Sequence, residues 1–135
     1  MGGFDWVSTR SKCSLEQSFV LLSEIVDSDV KAANALKRRD VEFKINSEPT
    51  KKLVVIRDQD LGGMHGFINV VFELRADKIT VFIRKGGEFL PVPMFSFVPS
   101  LNEEGECLYR IEGEEAQLKL WQVSRKALED LFFGF

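Results

Sequence analysis

The chain is poor in the residues that usually announce a function. It has one histidine, two cysteines, four prolines and one tyrosine in 135 residues. A single His excludes, within one subunit, the two-His sites of zinc hydrolases and non-haem iron oxygenases. Cys13 and Cys107 stand far apart in sequence and form no CxxC pair for zinc or redox exchange, so they are read as free thiols. There is no surplus of positive charge. Eighteen Lys and Arg face 21 Asp and Glu, a net charge of −3, so the basic stripe that neutralises phosphates is missing and no nucleic-acid partner is expected. The Lys37-Arg38-Arg39 triplet is instead read as cations favoured near a helix C-terminus.

No run approaches the ~18 apolar residues of a membrane span. The opening MGGFDWVSTRSK lacks the basic-then-apolar order of a signal peptide, and Trp6 stands where a myristoylation motif needs Ser or Thr. The expectation is a cytoplasmic chain with no membrane partner. What the sequence does contain is ordinary for one folded domain: 44% apolar and 29% charged residues, in a length that buries about two-thirds of its unfolded surface without a disulfide or metal.

The first element opens at Ser14, where Ser14-Leu15-Glu16-Gln17 has the form of a capping box. Leu15, Phe19, Leu22, Val26, Ala33 and Leu36 follow at helical spacing. The stripe skips at Asp27-Ser28-Asp29, so the reading is one kinked helix or two short ones. Residues 1–13 are expected as a partly flexible extension, and residues 14–135 as a single α+β domain. After Asp40 the period changes to two: Val41, Phe43 and Ile45 alternate along a strand, and 52–57 (KLVVIR) form another that is apolar on both faces.

Ile68, Val70, Phe72 and Leu74 alternate along the next strand, and Ile79, Val81 and Ile83 along its neighbour. Setting Leu74 opposite Ile79 puts Phe72 opposite Val81 and Val70 opposite Ile83, every pair on one face. Lys85-Gly86-Gly87-Glu88 then suits a two-residue primed turn, which places Ile83 opposite Leu90, Val81 opposite Val92 and Ile79 opposite Met94. Pro91 and Pro93 lack donors, so residues 89–94 are expected as an edge strand. Cys107 to Glu112 alternates as a strand. Residues 114–123 fit strand or helix, and the preferred reading is a hairpin strand from Gln117 to Val123, then a short helix from an N-cap at Ser124 to Phe133, stopped by Gly134. The fold expected is an N-terminal helix, an antiparallel meander of five to seven strands and a short C-terminal helix, with the helices on one face.

Chemistry-bearing residues are few. Asp58, Asp60 and His65 fall in a polar, glycine-rich stretch from Asp58 to Gly66 that reads as a mobile loop, and they are the candidate ligand-binding residues. No metal or cofactor is expected, and neither glycine pair opens a helix that could face a phosphate. The more suggestive feature is aromatic. Phe67, Phe82, Phe89, Phe95 and Phe97 are placed by the expected pairing on the face opposite the main apolar ladder, where a sheet that is apolar on both sides needs cover. These five are the candidate interface residues. The reading that follows is a small non-catalytic binding protein, dimeric, that engages a protein or itself. The alternative is a small-molecule binder or enzyme with an apolar pocket between helix and sheet and Asp58, Asp60 or His65 at its mouth.

Overall fold

The structure, a computed structural model, describes residues 5–48, 51–60, 65–86 and 88–134. Within these, three helices and seven strands follow one another as α1 (Trp6–Lys12), α2 (Leu15–Ala35), β1 (Val41–Glu48), β2 (Lys52–Asp60), β3 (His65–Leu74), β4 (Ile79–Lys85), β5 (Val92–Leu101), β6 (Cys107–Ile111), β7 (Gln117–Leu118) and α3 (Leu120–Phe133). The strands form one antiparallel meander in the order β1 to β7, curled into a half-barrel, and the fold is α+β as expected.

Helix α2 begins where its cap predicts, with Ser14 Oγ accepting from the Gln17 backbone N–H at 3.2 Å. It then runs unbroken through Asp27-Ser28-Asp29. The two aspartates act sideways instead of capping a second helix: Asp27 pairs with Lys31 at 2.9 Å, and Asp29 accepts from Ser124 Oγ of α3 at 2.7 Å. Leu22, Val26 and Val30 bury the face that the stripe defines. Lys37 takes a positive φ of 50° just beyond the helix, which ends the run. Ahead of α2, the short helix α1 is capped by Asp5 and buries none of its own residues.

The β3/β4 register is the expected one, with Leu74 opposite Ile79, Phe72 opposite Val81 and Val70 opposite Ile83. The β4/β5 register is not. The connection extends to Pro91, so Val92, not Leu90, meets Ile83. A bulge then leaves Met94 without a partner, so Val81 meets Phe95 and Ile79 meets Phe97. One unpaired residue moves every later side chain to the other face. Phe95 and Phe97 therefore join the helix-covered core, against the expectation, and Phe97 is only 1% exposed, edge-on to Tyr109 at 5.9 Å.

Of residues 89–94, expected as an edge strand, 92–94 belong to β5 and have a neighbouring strand, β4, on one side only, as expected, while 89–91 lie in the connection. Strand β5 continues to Leu101 and pairs with β6 over Phe97–Leu101, which makes its second half interior. Residues 92–96, ahead of that stretch, have β4 on one side and no β6 residue opposite. The C-terminal helix also starts earlier than expected. Residues 120–123 are its first turn, closed by Gln122 Oε1 accepting from the Lys119 N–H at 2.8 Å, and Ser124 is buried inside the helix. Val123, Ala127, Leu128 and Leu131 at helical spacing outweigh the alternation that suggested a strand. Gly134 does occupy the C-cap.

The cysteines are not free thiols. Cys13 and Cys107 form a disulfide with Cα atoms 5.5 Å apart across 94 residues of sequence. The fold supplies what spacing could not show: the start of α2 packs beside β6, where Ser18 Oγ and Tyr109 Oη share a buried hydrogen bond of 3.0 Å. The bond lends no support to the cytoplasmic expectation. Among the described residues, no helix is long and apolar enough to cross a membrane.

Candidate functional site

The direction of the strands sorts the molecule into two ends. Cys13, Cys107, Tyr109 and the close of β5 lie at one. At the other are the ends of β2 and β4 and the starts of β1, β3 and β5. Helix α2 finishes at this second end, where the Asn34 amide exchanges hydrogen bonds with the Phe43 backbone at 2.8 and 2.9 Å. Helix α3 finishes there too, through a contact that sequence reading did not find.

That contact is a pair of guanidinium groups on the last carbonyls of α3. Arg57, 2% exposed on the core face of β2, donates Nη1 to the Leu131 carbonyl at 2.7 Å and Nε to Gln59 Oε1 at 3.0 Å, with its carbon Cζ 5.9 Å from the centre of the Phe43 ring. Arg38 donates to the Phe132 carbonyl and lies over the Phe133 ring. A helix C-terminus carries orphan carbonyls and partial negative charge, so two cations there satisfy both needs. Burial, and then the charge of Arg38, lower the Arg57 pKa from its ordinary value. An arginine remains charged at any physiological pH. The Lys37-Arg38-Arg39 triplet thus does serve a helix C-terminus through Arg38, but that of α3 and not of the helix it follows.

Around this end the large apolar side chains stay in water. Phe89 is 94% exposed, and with Leu90 it forms the apolar tip of the β4–β5 connection, flanked by half-exposed Phe67 and Val92. On the helix side, Ala32, Leu36, Trp121, Leu128, Phe132 and Phe133 line a groove of about 430 Å³ between α2 and α3, rimmed by Asp29, Arg125 and Glu129. Leu36, Trp121 and Phe133 are more than half exposed there. The preferred sequence reading places Trp121 in a strand and Phe133 at the end of a helix, neither of them at a site. Their exposure depends on where α3 lies against α2, which periodicity does not encode.

The five candidate aromatics therefore separate. Phe67 and Phe89 are exposed at the apolar end, while Phe95 and Phe97 belong to the core face. Phe82 sits on the outer face of the sheet, half-buried beneath the Arg75 guanidinium, whose Cζ is 5.3 Å from the ring centroid. A long cationic side chain can cover apolar surface while its head stays in water.

Asp58 and Asp60 are strand residues on that same outer face, away from the helices, and not members of a loop. His65 is placed by its backbone opposite Asp60, and residues 61–64 of the expected loop lie outside the described residues. Asp58 pairs with Lys44 at 3.6 Å. Beside it, Asp40, Glu42, Asp58 and Asp60 gather round a shallow hollow of about 300 Å³, an acidic corner at the β1–β2 side. Among the described residues no group of three or more His, Cys, Asp or Glu is arranged to hold a metal ion.

Next to this corner the outer face sinks into a recess of about 400 Å³ lined by Lys44, Ile56, Asp58, Phe67, Asn69 and Arg84, with Lys85 and Gly86 at its rim. Lys44, Ile56, Asn69 and Arg84 form one cross-strand row over four strands, and Asp58 lies opposite Phe67 in the next. Asn69 Oδ1 is buried without a hydrogen-bond partner. Such a group costs about 1–3 kcal/mol, so its retention calls for an explanation. No family model, curated protein or solved structure matches the chain.

Proposed function

We propose that the chain is a non-catalytic binding protein that works through its apolar end, and that the partner at that end is a second copy of itself. The observation that carries this reading is Phe89, 94% exposed beside an exposed Leu90. Each large apolar side chain left in water forgoes about 1.5–3 kcal/mol of burial, so a cluster of them is explained best by a surface that is covered in the working state.

The second copy is favoured because the same end carries both halves of a fit. A projecting apolar tip, Phe89-Leu90, and an apolar groove between α2 and α3 adjoin one end of one chain. A two-fold axis through that end would seat each tip in the other copy's groove, closing two contacts at once. The rim of the groove adds mixed charge, Asp29 and Glu129 with Arg125, which suits a self-complementary contact better than a strongly charged partner. Pro91 and Pro93 beside the tip block extension of the sheet from strand to strand, so faces and tips, not edges, make the contact.

Analytical ultracentrifugation of the wild-type chain and of the Phe89→Ser/Leu90→Ser variant tests the reading. The wild type is expected to sediment as a dimer and the variant as a monomer of unchanged circular dichroism. A wild type that stays monomeric up to its solubility limit, or a variant that dimerises equally well, would overturn it.

A further inference from the structure

The recess on the outer face lies apart from the helix groove, and the self-association above gives it no role. Its floor is the Ile56–Asn69–Arg84 row of β2, β3 and β4. Three features there need a common account. One is the Asn69 carboxamide oxygen, buried without a hydrogen-bond partner. Another is an apolar wall, Ile56 with the half-exposed Phe67 ring, on the face that also carries Val54, Val71 and Phe82. The last is charge: Lys44, Arg84 and Lys85 line the recess against Asp58 alone.

We propose that this recess binds a small organic anion built on a flat ring that carries an N–H or O–H group. The ring lies on Ile56 and Phe67, because an aromatic face and a branched aliphatic side chain give a planar group apolar cover on a sheet whose other side chains stand upright. The anionic substituent points to β4. Arg84 uses Nε on the Glu88 carbonyl at 3.4 Å, which leaves its terminal guanidinium nitrogens for a carboxylate, sulfonate or phosphate. The opposite orientation is disfavoured, since Asp40, Glu42, Asp58 and Asp60 gather at the β1–β2 side and repel an anion. The ring donor is for Asn69. The last side-chain torsion of Asn is soft, so a small rotation turns its carbonyl from the buried position into the recess. From Ile56 to Arg84 is two strand spacings, about 10 Å, the width of a bicyclic ring with an acidic substituent. Gly86 lies beside Phe67 at the rim, where a Cβ would approach the Phe67 backbone carbonyl oxygen at 3.3 Å.

The probe for the test is 8-anilinonaphthalene-1-sulfonate, an anion with a flat naphthalene ring, one N–H and an appended phenyl group. The expected result is saturable 1:1 binding by fluorescence, with NMR shifts at the Asn69 side-chain amide, Phe67 and Arg84. Arg84→Glu, an exposed change that leaves the fold intact, is expected to weaken binding by about tenfold or more. Asn69→Leu is expected to weaken it as well while raising the melting temperature, because it removes a buried acceptor that lacks a partner. Phe89→Ser/Leu90→Ser is expected to leave the affinity unchanged, which separates this site from the apolar end. Unchanged affinity in Arg84→Glu, NMR shifts confined to the groove between α2 and α3, or a loss of binding in Phe89→Ser/Leu90→Ser would each overturn the proposal.

Discussion

The two ends of the half-barrel are held by different means. At one, a disulfide joins the start of α2 to β6, Ser18 and Tyr109 share a buried hydrogen bond, and Phe97 and Tyr109 close the core edge to face. At the other, the cohesion comes from Arg57 and Arg38 on the carbonyls of α3 and from Asn34 on the backbone of Phe43, while Phe67, Phe89, Leu90 and Phe133 remain in water. The first end is stabilised by its own chain. The second is organised but not covered, and it is adjacent to the recess with the orphaned Asn69 oxygen. The difference teaches that the stabilising contacts and the exposed apolar surface are segregated along the strands, so substitutions at the two ends should report on different properties.

The largest effect should come from the covalent end. In the chain-entropy account, a 94-residue loop makes the Cys13–Cys107 bond worth about 4–5 kcal/mol. Chemical denaturation of the Cys13→Ser/Cys107→Ser variant should therefore show a midpoint far below that of the oxidised wild type. An unchanged midpoint would mean that this end is not held as described. At the same end, Phe97→Ala should cost about 3–5 kcal/mol, because it empties a fully enclosed ring site between Phe95 and Tyr109. Had Phe97 lain on the outer face, the cost would be far smaller, so the same denaturation measurement also checks the bulge at Met94.

That bulge marks the limit of what the sequence makes legible. Alternation along β3 and β4 defines their register because every apolar pair agrees, and Ser14 announces α2 because a cap is a local interaction. The β4–β5 pairing is different. A two-residue glycine turn and the longer connection that actually forms both satisfy local rules, and the choice is made by burial of Phe95 and Phe97 against helices distant in sequence. The disulfide and the start of α3 depend in the same way on contacts between remote segments. Of the surfaces, Asp58, Phe67 and Phe89 could be picked out by residue type. Asn69, Arg84 and Lys44 could not, because only strand register brings them into one row.

The uncovered end gives smaller changes in stability. Arg57→Met should cost about 1.5–3 kcal/mol, the value of hydrogen bonds from a charged donor, since it leaves the Leu131 carbonyl and Gln59 Oε1 short of a partner. Arg57→Lys should not restore the loss, because one ammonium cannot reach both acceptors with the geometry of the guanidinium fork. Denaturation of the two variants side by side checks this, and a full rescue by Lys would show that charge alone matters. Smallest of all is Phe89→Ser, expected to change monomer stability by less than about 0.5 kcal/mol because the side chain is almost wholly exposed. A large loss of monomer stability in that variant would place Phe89 in the fold and erase the contrast between the ends.

The central claim, that the uncovered end is closed by a second copy, is tested most directly by a mixing experiment with two single-cysteine additions. One chain carries Leu90→Cys at the tip and the other carries Leu36→Cys in the groove, each added to the native disulfide. Mixed under mild oxidation and read by intact mass, they should give a covalent heterodimer in high yield, while either variant alone should give little. Absence of the heterodimer, or an equal yield of covalent dimer from Leu90→Cys alone, would contradict the tip-in-groove arrangement.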